Sequence, residues 1–202
     1  MVKGLLVDFG GVMTTNVFAS FEAFCRAEGL EPSFVRDRFM ADPDARGLLE
    51  ELELGRLDEP EFEKRFAAVL GVEPEGLVDR LFGGMGPETA VIEAVRAARA
   101  AGVRTGLLSN SWGPERYDRE QLAELFDAWV ISGEVGLRKP DPAIYELAAE
   151  RLGLPAALIV FVDDLPGNLK PARALGMTTI LHRSAEQTVA ELEQALGVPL
   201  AT

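Results

Sequence analysis

A parallel α/β core of about five strands, interrupted by an all-helical insertion, is the fold class the sequence predicts. Three observations predict it. Short apolar runs recur, most of them ending in small polar or acidic residues; helical stretches precede every run but the first; and residues 14–83 contain no convincing strand. Strand and helix in alternation imply parallel strands with helices on both faces, because parallel neighbours need a helix-length crossover between them. The division that follows is a core of residues 1–13 and 84–202, with a helical cap of residues 14–83.

The first element is the run Lys3 to Phe9, which contains Asp8 and stops at the pair Gly10-Gly11. The next three segments are helical in pattern. Phe18, Phe21, Phe24 and Cys25 share one face before Gly29; Leu48, Leu49 and Leu52 share another before Gly55; Phe62, Phe66, Val69 and Leu70 form a third, opened by Asp58 with Glu61 three places on. The acidic cluster Glu50, Glu51 and Glu53 reads as a solvated helix face. Gly83-Gly84-Met85-Gly86-Pro87 has the composition of a hinge, and with residues 13–16 it should let the cap close over the core. The alternation then proceeds. Helices over Glu88 to Ala101, Arg119 to Phe126, Pro142 to Leu152 and Asn168 to Leu175 alternate with strands over Val103 to Leu108, Ala128 to Ile131, Ile159 to Val162 and Thr178 to Leu181. Asp141 before Pro142 is an N-cap with proline at the first helical position, and Gly102, Gly153 and Gly176 stand where helix C-termini favour a left-handed residue.

The chain of 202 residues is long enough for one core plus a satellite. Its twenty Lys plus Arg against thirty-three Asp plus Glu give a net charge of -13, which repels phosphate backbones and anionic membrane surfaces, so nucleic acid and lipid are not expected partners. The longest uncharged stretch, Phe9 to Phe21, is shorter than the roughly twenty apolar residues of a membrane span. A lone Cys25 cannot form an internal disulfide, and the start Met1 to Lys3 is not that of a signal peptide; a cytoplasmic protein, monomeric or homodimeric, is expected.

In an open parallel sheet the ligand lies beyond the carboxyl ends of the strands. The residues there are Asp8, then Ser109 and Asn110, then Asp163 and Asp164, with Lys139 in the loop Gly136 to Pro142. Taken singly, each is an ordinary strand end or surface charge. Together they supply a carboxylate nucleophile, a hydroxyl donor, a cation and an oxygen site for a divalent ion. That set suits phosphoryl transfer, because a phosphate dianion repels an attacking carboxylate until its oxygens are neutralised.

Four motifs in order, Asp8 in VDFGGV, Ser109 in LLSN, Lys139 in RKPDP and Asp163-Asp164 in FVDDLPGN, resemble those of the haloacid dehalogenase superfamily of hydrolases over nearly the whole chain. The resemblance implies a Rossmann-like core with a small helical cap and an aspartyl-phosphate intermediate on Asp8. It also implies Mg²⁺ held by Asp8, the Gly10 carbonyl and chiefly Asp164, with Asp163 close by, while Ser109, Asn110 and Lys139 bind the phosphoryl group. The substrate class it implies is a small phosphorylated metabolite. One departure stands out: where most phosphatases of the family carry a second Asp, two residues after the nucleophile, this chain has Gly10. The leaving-group acid is therefore missing, a group typically worth ~10²- to 10⁴-fold in rate. Two alternatives remain open on sequence, a 2-haloacid dehalogenase using Asp8, which needs no such acid, and a catalytically silent binding relative. Trp112 either lines the pocket mouth or covers the core; His182 and Cys25 are assigned to packing.

Overall fold

The computed structural model of the protein describes residues 2–200. Strand β1 (Gly4–Val7) is followed by five helices, α1 (Val17–Ala27), α2 (Phe34–Ala41), α3 (Pro43–Glu53), α4 (Glu59–Leu70) and α5 (Leu77–Phe82). The alternating part follows as α6 (Thr89–Ala100), β2 (Arg104–Ser109), α7 (Arg119–Leu125), β3 (Ala128–Ile131), α8 (Ser132–Val135), α9 (Pro142–Leu152), β4 (Ile159–Asp163), α10 (Pro166–Ala174), β5 (Thr178–Leu181) and α11 (Ala185–Leu196). The strands form one parallel sheet in the order β3-β2-β1-β4-β5.

That order places β1 at the centre, with the chain crossing to β2 on one side and to β4 on the other, so the reversal of direction occurs where β1 ends. Side chains alternate across the sheet. Leu5, Val7, Leu107 and Val162 enter the cluster shared with α6, α7 and α11, while Leu6, Leu108 and Phe161 enter the opposite cluster with α9 and α10. Both faces are covered, which is why the strands read as continuous apolar runs.

All five expected strands are present, although β1 ends at Val7 and leaves Asp8 and Phe9 in the following turn. The helical insertion has five helices where the apolar spacing had indicated three. Helices α2 and α5 escaped because they are short, eight and six residues, with few apolar positions to establish a period. Helix α11 was also missed; it closes the first cluster with Leu192 and Leu196. The Asp58 cap is as expected, its side chain accepting from the Glu61 N–H at 2.9 Å.

The insertion carries its own apolar cluster, built on Phe21, Phe24, Phe62, Phe66, Leu77 and Leu81. The two connections expected to act as hinges pair with each other. Thr14 and Pro87 form an antiparallel bridge, the Thr15 N–H donates to the Gly86 carbonyl at 2.8 Å, and the Glu88 N–H donates to the Met13 carbonyl at 2.9 Å. No described helix is long and apolar enough to cross a membrane.

Candidate active site

Every site residue expected from the sequence converges on the carboxyl edge of the sheet. Asp8 leaves β1 with its N–H tied to the Val162 carbonyl at 2.9 Å, so the neighbouring strand fixes its direction. Lys139 is 1% exposed and lies between two carboxylates, with Nζ 2.8 Å from Asp8 Oδ1 and 2.7 Å from Asp163 Oδ2. Burial alone would lower the lysine's pKa. Asp163 and Asp8 outweigh it and hold the ammonium above the usual lysine range. Asp8 is pushed upward by its own burial; Lys139 opposes the rise, and the charges of Asp163 and Asp164 add to it. The site thus stores like charge around one cation.

The two adjacent acids are not equivalent. Asp163 is fully buried, and its oxygens accept from Lys139 Nζ, from the Leu165 N–H at 2.8 Å and from Asn168 Nδ2 at 3.0 and 3.1 Å. Asp164 instead lines the cavity above Asp8, as Gly10 does. Burial first, and then Asp163, push the Asp164 carboxyl up to about 6. Oxygens of Asp8, Asp163 and Asp164 lie within 4.8 Å of one another, a hard-oxygen cluster of the kind that holds a divalent ion. With Asp163 saturated by donors, Asp8 and Asp164 are the carboxylates directed at the cavity, and the raised pKa values mark a cluster that added positive charge would relieve.

Ser109 ends β2, and its hydroxyl lies 2.9 Å from the Tyr117 hydroxyl. The Tyr117 ring is 5.1 Å from that of Phe9, and burial pushes its phenol up to about 12. Asn110 clamps the lysine loop. Its Nδ2 donates to the Lys139 carbonyl at 3.0 Å, and its Oδ1 accepts from the Lys139 N–H at 2.8 Å. The lysine is thereby held in position from a neighbouring strand.

Several participants were not legible beforehand. Glu53, expected on a solvated face, is 6% exposed; it pairs with Arg138 at 2.6 Å and accepts from Asn110 Nδ2 at 3.2 Å. The solvated reading fails because α3 lays its last turn against the core loops, where the Ser132 hydroxyl also donates to the Glu53 carbonyl. Arg116 crosses the other way, reaching Glu59 at 2.7 Å and Asp79 at 2.9 Å. Of the two places considered for Trp112, the pocket holds, while its packing is against the insertion and not the sheet core. It lines the cavity and also packs into the insertion, with its ring centroid 4.9 Å from Phe82, 5.6 Å from Phe62 and 5.7 Å from Phe39. His182 stays apart, bonded to Thr188 at 2.8 Å.

The glycine pair divides into two roles. Gly10 lies outside the positive-φ region, and a Cβ there would meet only Val17 Cγ2 at 3.3 Å. Gly11 has φ +76°, and a Cβ there would fall 2.5 Å from Asp164 Oδ2. Gly11→Ala should therefore cost about 1–2 kcal/mol of stability and displace the Asp164 carboxylate. Denaturant melts and Mg²⁺ titrations check it; unchanged metal affinity would show that Asp164 has room to turn aside.

A family model for haloacid dehalogenase-like hydrolases matches residues 2–176. The bifunctional epoxide hydrolase 2 of Sus scrofa is 37% identical over 117 residues, 54% of this chain but 21% of that protein. The chain thus spans about a fifth of the length of that relative. A sesquiterpene phosphatase of Aspergillus oryzae is 25% identical over 154 residues, 73% of this chain and 79% of that one. Among solved structures, a family enzyme from Bacteroides thetaiotaomicron in complex with magnesium and inorganic phosphate superposes with a TM-score of 0.67 at 22% identity, covering 91% of this chain and 95% of its own. An L-2-haloacid dehalogenase shares the fold with a TM-score of 0.60 at 20% identity, over 90% of this chain and 84% of that one.

Proposed function

The chain belongs to the haloacid dehalogenase-like hydrolases, and from that membership and the site's geometry we propose that it is a Mg²⁺-dependent phosphatase working through an aspartyl phosphate on Asp8. One observation carries the reading: Asp8 and Asp164 face a single cavity around a buried lysine, while Asp163 is locked behind them. The relative that acts on a sesquiterpene phosphate and the neighbour crystallised with magnesium and phosphate support it.

In this reading Asp8, the Gly10 carbonyl and Asp164 hold the metal, which when bound neutralises phosphoryl oxygens and lets a carboxylate approach a dianion. Asp8 attacks phosphorus; the bond to the ester oxygen breaks, and the departing alkoxide takes a proton from water. A second water attacks phosphorus, releases inorganic phosphate and restores the Asp8 carboxylate. Lys139 favours the ionised form of Asp8 against the burial that opposes it and contributes positive charge to the phosphoryl group, and the Ser109 hydroxyl, oriented by Tyr117, donates to an oxygen. The helical insertion acts as the cap that shapes the substrate end of the cavity.

Asp163 and Asp164 give the direct test. Asp164→Ala should raise the Mg²⁺ needed for half-maximal activation at least about tenfold and leave the melting temperature nearly unchanged, because its carboxylate faces the cavity. Asp163→Ala should act mainly on stability, since it removes one of the two carboxylates on Lys139 and leaves the Leu165 N–H and Asn168 Nδ2 without their acceptor. Equal metal losses with equal melts would overturn the division.

Gly10 gives a second test. Without a carboxylic acid in that position, rates should depend steeply on leaving-group pKa, so that aryl and acyl phosphates are turned over far faster than alkyl phosphates. Gly10→Asp fits the backbone, with only Val17 having to yield slightly, and should flatten that dependence. A shallow dependence already present with Gly10 would mean that another group protonates the leaving oxygen. Halide release from 2-haloacids without added metal would favour the dehalogenase reading, which Gly10 also permits.

A further inference from the structure

The cavity above Asp8 has two chemically distinct ends. At the sheet edge lie the carboxylates, Ser109 and Lys139; the rest of the wall is aromatic and aliphatic, led by Phe18, Phe21, Phe39, Phe82, Trp112 and Met40. Of the three charged side chains that reach this second end, Arg36, Glu53 and Arg116, the last two are firmly engaged. Arg116 is bound to Glu59 and Asp79, and Glu53 is bound to Arg138 and Asn110, while Arg36 stands exposed beside Asp37. Met40, 74% exposed, forms an apolar rim that an occupant would cover. The half-open cavity, of about 380 Å³, accommodates a phosphate with a ring-sized group attached.

We propose that the substrate is a phosphate monoester of an apolar, ring-containing alcohol, its phosphate at Asp8 and its ring among Phe18, Phe39, Phe82 and Trp112. The proposal rests on the phosphatase reading and adds what the ester's other half must be. A sugar or polyol would lose water from its hydroxyls and find few polar partners along this wall, Arg36 at its exposed edge being the main one, whereas a flat apolar group gains burial and ring contacts.

Binding of non-hydrolysable phosphonates to the intact protein in Mg²⁺, followed by calorimetry, separates the two claims without depending on turnover. Benzylphosphonate should bind at least about tenfold more tightly than 2-hydroxyethylphosphonate, as expected for removing a phenyl ring from water. Met40→Gln and Phe18→Asn should each shrink that ratio severalfold; two variants are used because Met40 is exposed and its replacement leaves packing intact. If inorganic phosphate and the hydroxyethyl compound bind but the benzyl compound is no tighter, the phosphatase reading stands and this inference is overturned. If neither phosphate nor any phosphonate binds, both are overturned.

Discussion

Replacing Asp8 with Asn should abolish phosphate release, a fall of about four orders of magnitude or more, with the fold preserved. The amide keeps the shape of the side chain but removes the nucleophile and one negative ligand, and the loss of a required nucleophile is not made good by its neighbours. Stability should not fall. Asp8 is buried beside Asp163 and Asp164, which oppose its ionisation, and Lys139 keeps Asp163 as a partner when Asp8 becomes neutral. A single-turnover assay on protein purified free of host phosphatases, together with a thermal melt, measures both halves. Activity within a hundredfold of the parent would show that Asp8 does not carry the covalent step.

Lys139→Met should be more damaging overall, because it removes both a catalytic charge and a structural one. The ammonium is surrounded by protein, and without it Asp8 and Asp163 remain buried with no cation between them. Breaking a buried pair on one side costs about 3–5 kcal/mol. The sign of the pH dependence follows from the charges. Without Lys139 the Asp8 carboxyl, which burial already raises to about 8, rises further, so the variant loses stability relative to the parent as pH climbs past that value. Denaturant melts of parent and variant from about pH 6 to about pH 9 should show a deficit that widens above about pH 8, and added Mg²⁺ should narrow it. A pH-independent deficit would mean that lost packing, not stranded charge, is the cost.

Much of this architecture was legible in the sequence because it depends on local chemistry. The five strands are buried on both faces, so each appears as an apolar run, and four lie within a residue of their expected limits; β1 alone stops two residues short, before Asp8. Asp8, Ser109 and the acidic pair stood out from their places at strand ends, and Lys139, in a loop, only from the family pattern of the four motifs. What stayed hidden depends on partners distant in sequence. Glu53 looks like its neighbours Glu50 and Glu51 until α3 is set against Arg138. Asn110 was expected at the phosphoryl group, and only the fold reveals that its amide spans the Lys139 main chain from 29 positions away. Gly10 drew notice as a missing acid, yet the conformationally demanding glycine is Gly11, whose need arises only when Asp164 arrives beside it.

Trp112 has a consequence for how such proteins diversify. It is three residues from Ser109 in the loop after β2, yet its ring fills a socket formed by Phe21, Phe39, Phe62 and Phe82 of the insertion. The part that would choose the substrate is therefore completed by a residue from the part that would perform the chemistry. The two cannot be exchanged as independent modules. A helical insertion transplanted from a relative would arrive with a vacant or mismatched socket unless the β2 loop travelled with it, so changes in substrate preference must be inherited jointly by residues 17–82 and by the few positions around Trp112.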